Sequence, residues 1–293
     1  MGPWQDIEAA IRDACGAAFA IESRAAAGGG CINECHVVRG RGLAFFVKLN
    51  TAERLPMFEA EAAGLREIAR SNTVRVPRPL CHGASAGTSW IALEYLELRG
   101  ASRRGMEELG RALAAMHGCG AEQFGWYRDN TIGATPQVNT PDADWVTFWR
   151  RRRLGFQLAL AGENGHRGRL LALGERLLDR MPVFFSGHEP RPALLHGDLW
   201  SGNAAFMRDG TPVLFDPAVY YGDREADLAM TELFGGFSAD FYRAYDEVTP
   251  RAPGYATRRQ LYNLYHVLNH LNLFGGGYRA QAERMIEALL SES

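Results

Sequence analysis

The sequence of 293 residues predicts an α+β fold of two lobes, with a strand-rich first lobe and a mainly helical second lobe. Before residue 97, short segments with strand-type alternation are separated by glycine-rich turns, as at residues 43–49. After Leu96, apolar residues recur at helical spacing, as in the stripe that ends at His117 and Gly118. We therefore expect a first lobe at residues 1–96 and a second lobe at residues 97–293.

The elements of the first lobe follow from its local patterns. An apolar helix is predicted at residues 7–19, and the run Gly28-Gly29-Gly30-Cys31-Ile32-Asn33 is predicted to be a hairpin loop before a return strand at residues 34–38. Lys48 falls late in the strand at residues 43–49. A helix is predicted to begin near Pro56, since proline suits the first helical turn, and Glu61 projects from it.

The second lobe contains the most informative segment, His196-Gly197-Asp198-Leu199-Trp200-Ser201-Gly202-Asn203, which is followed by Phe215-Asp216-Pro217. Asn203 follows Asp198 by five residues, and Asp216 follows Asn203 by 13. In a protein-kinase type of active site, an aspartate receives the proton of the acceptor hydroxyl, and an asparagine and a second aspartate hold magnesium. The spacing predicts two short strands between the loops, at residues 204–207 and 213–215, which would direct all three side chains into one pocket. The fold class is therefore predicted to be bilobal and protein-kinase-like.

Phosphoryl transfer requires neutralisation of phosphate charge and an acceptor held in line, and each group has a candidate. Lys48 would contact the α and β phosphates of ATP, and Glu61 would pair with it. Asn203 and Asp216 would hold Mg²⁺, which prefers hard oxygen ligands. Asp198 would orient the acceptor hydroxyl and accept its proton.

The glycines at positions 28–30 permit backbone N–H groups to approach phosphates, although a flexible hairpin would have the same composition. His196 is predicted to brace the catalytic loop through hydrogen bonds, and Asp227 to anchor the backbone of that loop from a helix start. Of the four arginines at positions 150–153, one is predicted to turn inward while the others lie on a solvated face.

Composition excludes several classes of protein. The formal net charge of -2 gives no reason to expect nucleic acid or an anionic membrane as a partner. The five cysteines are odd in number and lack paired CxxC spacing, which is typical of a reducing compartment, so a cytoplasmic location is expected. No apolar run is long enough to span a bilayer.

The sequence resembles the fructosamine kinases, also called ketosamine-3-kinases, within the larger aminoglycoside-phosphotransferase and protein-kinase-like group. The resemblance runs nearly the full length. Its most specific parts are Asp198-Leu199-Trp200-Ser201-Gly202-Asn203, the run Tyr221-Gly222-Asp223-Arg224-Glu225-Ala226-Asp227-Leu228-Ala229-Met230, Leu233-Phe234-Gly235-Gly236-Phe237 and Asn269-His270-Leu271-Asn272.

The resemblance implies an ATP-dependent, Mg²⁺-dependent kinase that phosphorylates the third-carbon hydroxyl of ketosamines, which are sugar adducts of amines or of protein lysines. The phosphorylated adduct then decomposes, and the glycation is removed. The resemblance also implies that Trp200 and His270 border the sugar pocket, and that Glu94, Tyr95 and Leu96 contact adenine through backbone groups. Leu273 is a departure, because a second histidine is expected at this position of the motif.

Cys31 carries a further hypothesis, because it stands in the predicted phosphate loop where flanking glycines would leave its thiol accessible. Oxidation could join Cys31 to the same residue of a second chain and alter ATP binding. The alternative is a passive loop residue. The sequence thus leaves open a monomer and a redox-linked dimer.

Two other functions remain open on the sequence alone. The first is a kinase of another small alcohol, such as an aminoglycoside or choline, on the same fold. The second is a binding module without catalysis. All five polar catalytic positions are present, and this argues against such a module. The sequence does not distinguish a free ketosamine from a glycated protein lysine.

Overall fold

The structure is a computed structural model, and it describes residues 2–16, 18–28 and 32–292. The first lobe is built on one antiparallel sheet with two helices. Its elements are α1 (Trp4–Cys15), β1 (Ser23–Ala26), β2 (Glu34–Gly40), β3 (Leu43–Thr51), α2 (Leu55–Arg70), β4 (Pro79–Ser85) and β5 (Thr88–Glu94). The five strands lie in the order β1-β2-β3-β5-β4.

Alternation along β5 explains how the two faces of this sheet are used. Successive side chains of a strand point to opposite faces. Trp90 and Ala92 pack with Ile7 and Ile11 of α1 in a small apolar cluster on one face. Ile91 and Leu93 join Phe58 and Leu65 of α2 on the other face, in a cluster that continues into the second lobe.

The second lobe is mainly helical and carries three pairs of short strands. Its elements are α3 (Arg103–His117), β6 (Asn130–Ile132), β7 (Thr135–Gln137), α4 (Trp145–Phe148), α5 (Gly155–Glu163), α6 (Arg169–Arg180), β8 (Ala193–Leu195), β9 (Ala204–Phe206), β10 (Pro212–Leu214), β11 (Tyr220–Gly222), α7 (Glu225–Leu233), α8 (Ala239–Val248), α9 (Tyr255–Phe274) and α10 (Tyr278–Glu292). The strands form three antiparallel pairs, β6 with β7, β8 with β11 and β9 with β10.

This arrangement confirms the predicted bilobal, protein-kinase-like α+β fold. β5 ends at Glu94 and α3 begins at Arg103, while the main apolar cluster includes residues from both sides of that segment. The division at residues 96 and 97 stays a prediction. None of the helices in the described ranges combines the length and apolar character that crossing a bilayer requires.

The arginine run lies in a π-helical turn, Trp149–Leu154, between α4 and α5. As predicted, one arginine turns inward: Arg153 is fully buried. Its guanidinium lies 4.1 Å from the ring centroid of Tyr220 and donates a hydrogen bond of 2.7 Å to Asn139 Oδ1. Aromatic faces and a neutral amide therefore stabilise this cation inside the second lobe.

Candidate active site

The predicted catalytic loop connects β8 to β9 and is held by hydrogen bonds to α7. Asp227, in the first turn of α7, accepts hydrogen bonds from the backbone N–H groups of His196 and Gly197, at 2.7 and 2.8 Å. Gly197 has φ of 81°, and a Cβ there would lie 2.1 Å from the carbonyl oxygen of Ala218. Only glycine permits this close approach, so the loop is fixed at its start.

Asp227 is a charged anchor in a fully enclosed position. Burial would raise the pKa of Asp227, but hydrogen bonds, above all one from His117 Nε2 at 3.2 Å, lower it instead. His117 is itself fixed by Tyr245, whose hydroxyl lies 2.8 Å from its Nδ1. The predicted anchoring role of Asp227 is confirmed by these contacts.

His196 connects the catalytic loop with the loop that carries Asp216. Its Nε2 lies 3.0 Å from the carbonyl oxygen of Phe215 and donates to it, and its Nδ1 accepts the N–H of Asp198 at 3.3 Å. Burial lowers the pKa of His196, which favours this neutral form. The bracing role predicted for His196 is confirmed.

Asp198 and Asn203 meet as the spacing predicts. Asn203 Nδ2 donates to the backbone oxygen of Asp198 at 2.8 Å and to its Oδ2 at 3.3 Å. Burial and the negative charge of Asp216 raise the pKa of Asp198 to about 7. A carboxyl group with such a pKa can accept a proton at neutral pH.

Lys48 lies between two carboxylates at the junction of the lobes. Its Nζ is 2.7 Å from Glu61 Oε1, and it also forms an ion pair with Asp216. Burial would lower the pKa of Lys48, but these two carboxylates outweigh it and raise it. The structure therefore brings Lys48, Glu61, Asp198, Asn203 and Asp216 together: Lys48 pairs with Glu61 and Asp216, Asn203 contacts Asp198, and Asp216 lies close enough to Asp198 to raise its pKa.

Two amide side chains that the sequence analysis missed hold the chain that follows Asp216. Gln137 Nε2 donates to the carbonyl oxygen of Ala218 at 3.0 Å, and Asn130 Nδ2 donates to that of Val219 at 2.8 Å. Gln137 also donates to Asn130 Oδ1 at 2.8 Å. We call Asn130 and Gln137 the amide clamp.

The clamp supports a backbone conformation that is costly by itself. Asp216 has φ of 57°, in the left-handed region that residues other than glycine rarely adopt. Such conformations persist where the surrounding structure fixes them. His196 holds the chain before Asp216 and the clamp holds the chain after it. Nothing in the spacing of Asn130 and Gln137 pointed to this role.

The predicted metal ligands offer a donor set that suits a divalent cation. The side chain of Asp216 is 43% exposed, so its carboxylate can take a further partner. Asn203 donates through Nδ2, and no hydrogen bond to its Oδ1 occurs in the described part of the chain. One carboxylate and one amide oxygen are ligands that Mg²⁺ accepts together with phosphate oxygens. The residues therefore fit the ion.

The predicted phosphate loop is only partly described. Gly28 is exposed, whereas Gly29, Gly30 and Cys31 lie outside the described residues. The redox hypothesis for Cys31 therefore stays a prediction. At the end of the loop, Asn33 Oδ1 accepts a hydrogen bond of 2.8 Å from Asn50 Nδ2. The side chain of Asn33 thus joins the loop to β3.

The predicted adenine segment begins at the end of β5. The carboxylate of Glu94 forms an ion pair with Arg75 and accepts the backbone N–H of Arg78 at 3.1 Å. The backbone N–H of Glu94 is also in use, since it donates to the carbonyl oxygen of Arg78 at 2.9 Å. Tyr95 and Leu96 follow in irregular structure and are half-buried. An adenine contact at Glu94 would therefore use its carbonyl group.

Trp200 and His270, the predicted sugar contacts, belong to one line of aromatic side chains beside the catalytic loop. The ring of Phe234 lies 6.3 Å from that of Trp200 and 5.2 Å from that of His270. The rings of Phe274 and Tyr278 lie 5.6 and 5.3 Å from that of His270. We call these five residues the aromatic row. Trp200 and Phe234 are 40% and 47% exposed, so the row presents apolar surface to a ligand.

Gly202 determines where the indole of Trp200 lies. A Cβ at Gly202 would be 2.2 Å from the indole ring. The indole ring of Trp200, which follows Asp198 by two residues, therefore lies directly against the backbone of the catalytic loop at Gly202.

Comparison with known proteins finds, over almost the whole chain, the family that the sequence resembles. A family profile described as fructosamine kinase matches residues 3–292. "Probable ketoamine kinase slr1563" from Synechocystis sp. is 48% identical over 98% of this chain and 97% of its own length. "Protein-ribulosamine 3-kinase, chloroplastic" from Oryza sativa subsp. indica is 45% identical over 94% of this chain and 81% of its own length.

Solved structures agree in fold. The crystal structure of "Putative fructosamine-3-kinase" from Haemophilus somnus 129PT has a TM-score of 0.90, is 29% identical, and the match covers 98% of this chain and 97% of the other. The choline kinase LicA from Streptococcus pneumoniae has a TM-score of 0.61 at 15% identity, with 98% of this chain and 100% of the other covered. At that identity the likeness shows the fold alone.

Proposed function

Because this chain belongs to the fructosamine kinase family, we propose that it transfers the γ-phosphoryl group of ATP to the third-carbon hydroxyl of a ketosamine. It is an ATP-dependent phosphotransferase with an alcohol acceptor. One observation supports the chemistry most directly. Asp198 lies beside Asn203, and burial together with the negative charge of Asp216 raises its pKa to about 7. Asp216 in turn forms an ion pair with Lys48. This set contains a base, two metal ligands and a phosphate-binding cation.

Lys48 and Glu61 would prepare the nucleotide. Lys48 keeps its charge in a buried position because two carboxylates surround it, so its ammonium can exchange Asp216 for the α and β phosphates of ATP. Glu61 would hold Nζ in place during that exchange. Asn203 and Asp216 would hold Mg²⁺, which when bound supplies positive charge to the phosphates.

Asp198 would position the acceptor. Its carboxylate would accept the proton of the third-carbon hydroxyl as the oxygen forms a bond to the γ-phosphorus. The bond between that phosphorus and the β–γ bridging oxygen breaks, and ADP leaves with those electrons. General-base assistance contributes about 10²- to 10⁴-fold, whereas correct positioning can supply about 7 to 11 kcal/mol. Positioning by Asp198 is therefore expected to dominate.

The acceptor would lie against Trp200, whose ring offers an apolar face to the C–H groups of a sugar. His270 donates from Nδ1 to the carbonyl oxygen of His266 at 2.7 Å. This bond leaves Nε2 for a hydroxyl or amine of the ketosamine. The phosphorylated ketosamine would then decompose and release the amine.

An assay of ATP consumption tests the proposal. Amines that carry fructose, ribulose or erythrulose adducts serve as acceptors, with an aminoglycoside and choline as controls. We expect ketosamines to be phosphorylated at the third carbon, as read by ³¹P and ¹³C NMR, and Asp198→Ala to lose at least 10²-fold in turnover. Preference for either control, or near wild-type turnover by Asp198→Ala, would refute the assignment.

A further inference from the structure

Arg153 is a buried cation that the proposed chemistry does not use. Arg150, in the same run of arginines, pairs with Asp179 at the surface, whereas Arg153 is fully buried and forms no ion pair with a carboxylate of the described residues. A buried charge without an opposite charge is costly unless hydrogen bonds compensate it. The hydrogen-bond partners of this guanidinium therefore indicate what it contributes to the protein.

The guanidinium holds the chain directly after β7. Its Nη1 donates to the carbonyl oxygen of Val138, and its Nη2 donates to Asn139 Oδ1, both at 2.7 Å. Asn139 is fully buried as well. A guanidinium has donors and no acceptor. The side-chain oxygen of Asn139 must therefore face Arg153, and the NH2 group of Asn139 must face away from it.

The orientation of Asn139 determines that of the amide clamp. Asn139 Nδ2 donates to Asn130 Oδ1 at 3.0 Å, and Gln137 Nε2 donates to the same oxygen at 2.8 Å. Because two donors occupy Oδ1 of Asn130, its Nδ2 points the other way and donates to the carbonyl oxygen of Val219 at 2.8 Å. The hydrogen bonds thus form one chain with a single direction, from Arg153 through Asn139 and Asn130 to Val219.

The other member of the clamp is fixed from α9. The hydroxyl of Tyr265 donates to Gln137 Oε1 at 2.8 Å. This bond leaves Nε2 of Gln137 for Asn130 and for the carbonyl oxygen of Ala218. Donors behind the clamp therefore require both of its NH2 groups to face the chain that follows Asp216.

We propose that Arg153 is a positioning residue for the metal site. Through Asn139 it fixes the direction of the amide clamp, and the clamp holds the carbonyl groups of Ala218 and Val219. Asp216 then keeps the backbone conformation, with φ of 57°, in which its carboxylate would serve Mg²⁺. A reversed amide would turn its oxygen toward one of these carbonyl oxygens, and repulsion between the two would release the chain. This inference rests on the proposed function.

Binding of ADP with and without Mg²⁺ tests the proposal, because it separates the metal site from the rest of the nucleotide site. Isothermal titration gives the dissociation constant of ADP in excess Mg²⁺ and in EDTA, and the ratio of the two constants is the Mg²⁺-dependent gain in affinity. Arg153→Met should reduce this gain about 10-fold, as expected for the loss of one buried hydrogen bond. The affinity for metal-free ADP should stay nearly unchanged.

Asn139→Asp is the sharper variant, because it separates compensation of the buried charge from orientation of the clamp. A carboxylate at position 139 would form an ion pair with Arg153, but it has no NH2 group to donate to Asn130. Asn130 can pair with this carboxylate only by turning its Nδ2 toward it, which removes the bond to Val219. The gain should again fall about 10-fold. Asn72→Asp adds the same charge at an exposed position and should keep the gain.

A reduced gain in both variants, with metal-free binding kept, supports the proposal. An unchanged gain in Asn139→Asp overturns it, whether or not Arg153→Met folds. Equal losses of affinity with and without Mg²⁺ also overturn it, since Arg153 would then support the second lobe only in general. A wild type that binds ADP no better with Mg²⁺ would refute the proposed metal site, and this inference with it. Because no ketosamine is present, a failure to phosphorylate ketosamines leaves the result of the titration standing.

Discussion

Asp198→Asn should stabilise the protein while it abolishes turnover, because the wild-type carboxylate is held in a position that disfavours its charge. The pKa of Asp198 is raised from an ordinary value of 3.8 to about 7 by burial and by Asp216. A rise of about three pKa units corresponds to about 4 kcal/mol of unfavourable interaction. Asp198 is half-buried, so solvent reduces the effect, and we expect a gain of about 2 to 3 kcal/mol in the free energy of unfolding.

The pH dependence of this gain has a definite sign. Between pH 4 and 7 the folded protein keeps a proton on Asp198 that the unfolded chain has already released. Stability contributed by this group therefore falls as pH rises through that window. The difference between the variant and the wild type should be smallest near pH 4 and reach its full size above pH 7.

Urea unfolding of both proteins without nucleotide, at several values from pH 5 to 8, measures the difference. Asn203 Nδ2 can still donate to the amide oxygen of the new side chain, so the variant should fold. Asp13→Asn removes the same charge from an exposed position of α1 and should change the free energy of unfolding by less than about 0.5 kcal/mol. A variant at position 198 that is less stable than the wild type at pH 8, or equally stable at all pH values, would refute the electrostatic argument.

Three further variants test other parts of the site. Lys48→Met should raise the KM for ATP at least 10-fold and destabilise the fold by about 3 to 5 kcal/mol, because it leaves Glu61 buried and unpaired; kinetics and urea unfolding measure the two effects. Gln137→Leu should reduce the thermal stabilisation by Mg²⁺ and ADP, since it releases the carbonyl of Ala218 near Asp216. Gly202→Ala should displace the indole of Trp200 and raise the KM for the ketosamine several-fold with little change for ATP.

For each of these three variants, one result would contradict the prediction. Retention of normal ATP affinity by Lys48→Met would remove the lysine from the nucleotide site. For the amide clamp, Gln157→Leu is a matched control, because Gln157 is a buried glutamine that donates to Asn269 rather than to the chain that follows Asp216. Equal losses of Mg²⁺-dependent stabilisation in the two glutamine variants would reduce the clamp to a general structural role. A selective rise in the KM for ATP in Gly202→Ala would contradict the role assigned to Trp200.

The predictions from sequence were best where the interacting residues are close in the chain. Asp198 and Asn203 are in one loop, and a hydrogen bond joins them as their spacing predicts. The strands that separate Asn203 from Asp216 were predicted at residues 204–207 and 213–215, and they occur as Ala204–Phe206 and Pro212–Leu214. Short connections leave few conformations, so local spacing carries real geometric information.

The sequence by itself determined the succession of strands and helices, the loop that carries Asp198, and the family of the chain. Tertiary structure alone decided which distant groups meet: Lys48 pairs with Asp216, which is 168 residues away, and Gln137 donates to the carbonyl oxygen of Ala218, which is 81 residues away. The physical reason is that periodicity along a chain indicates which face of an element is buried, but not which element covers that face. The partner is selected by packing of the whole chain, and the roles of the amide clamp and the aromatic row exist only in the folded protein.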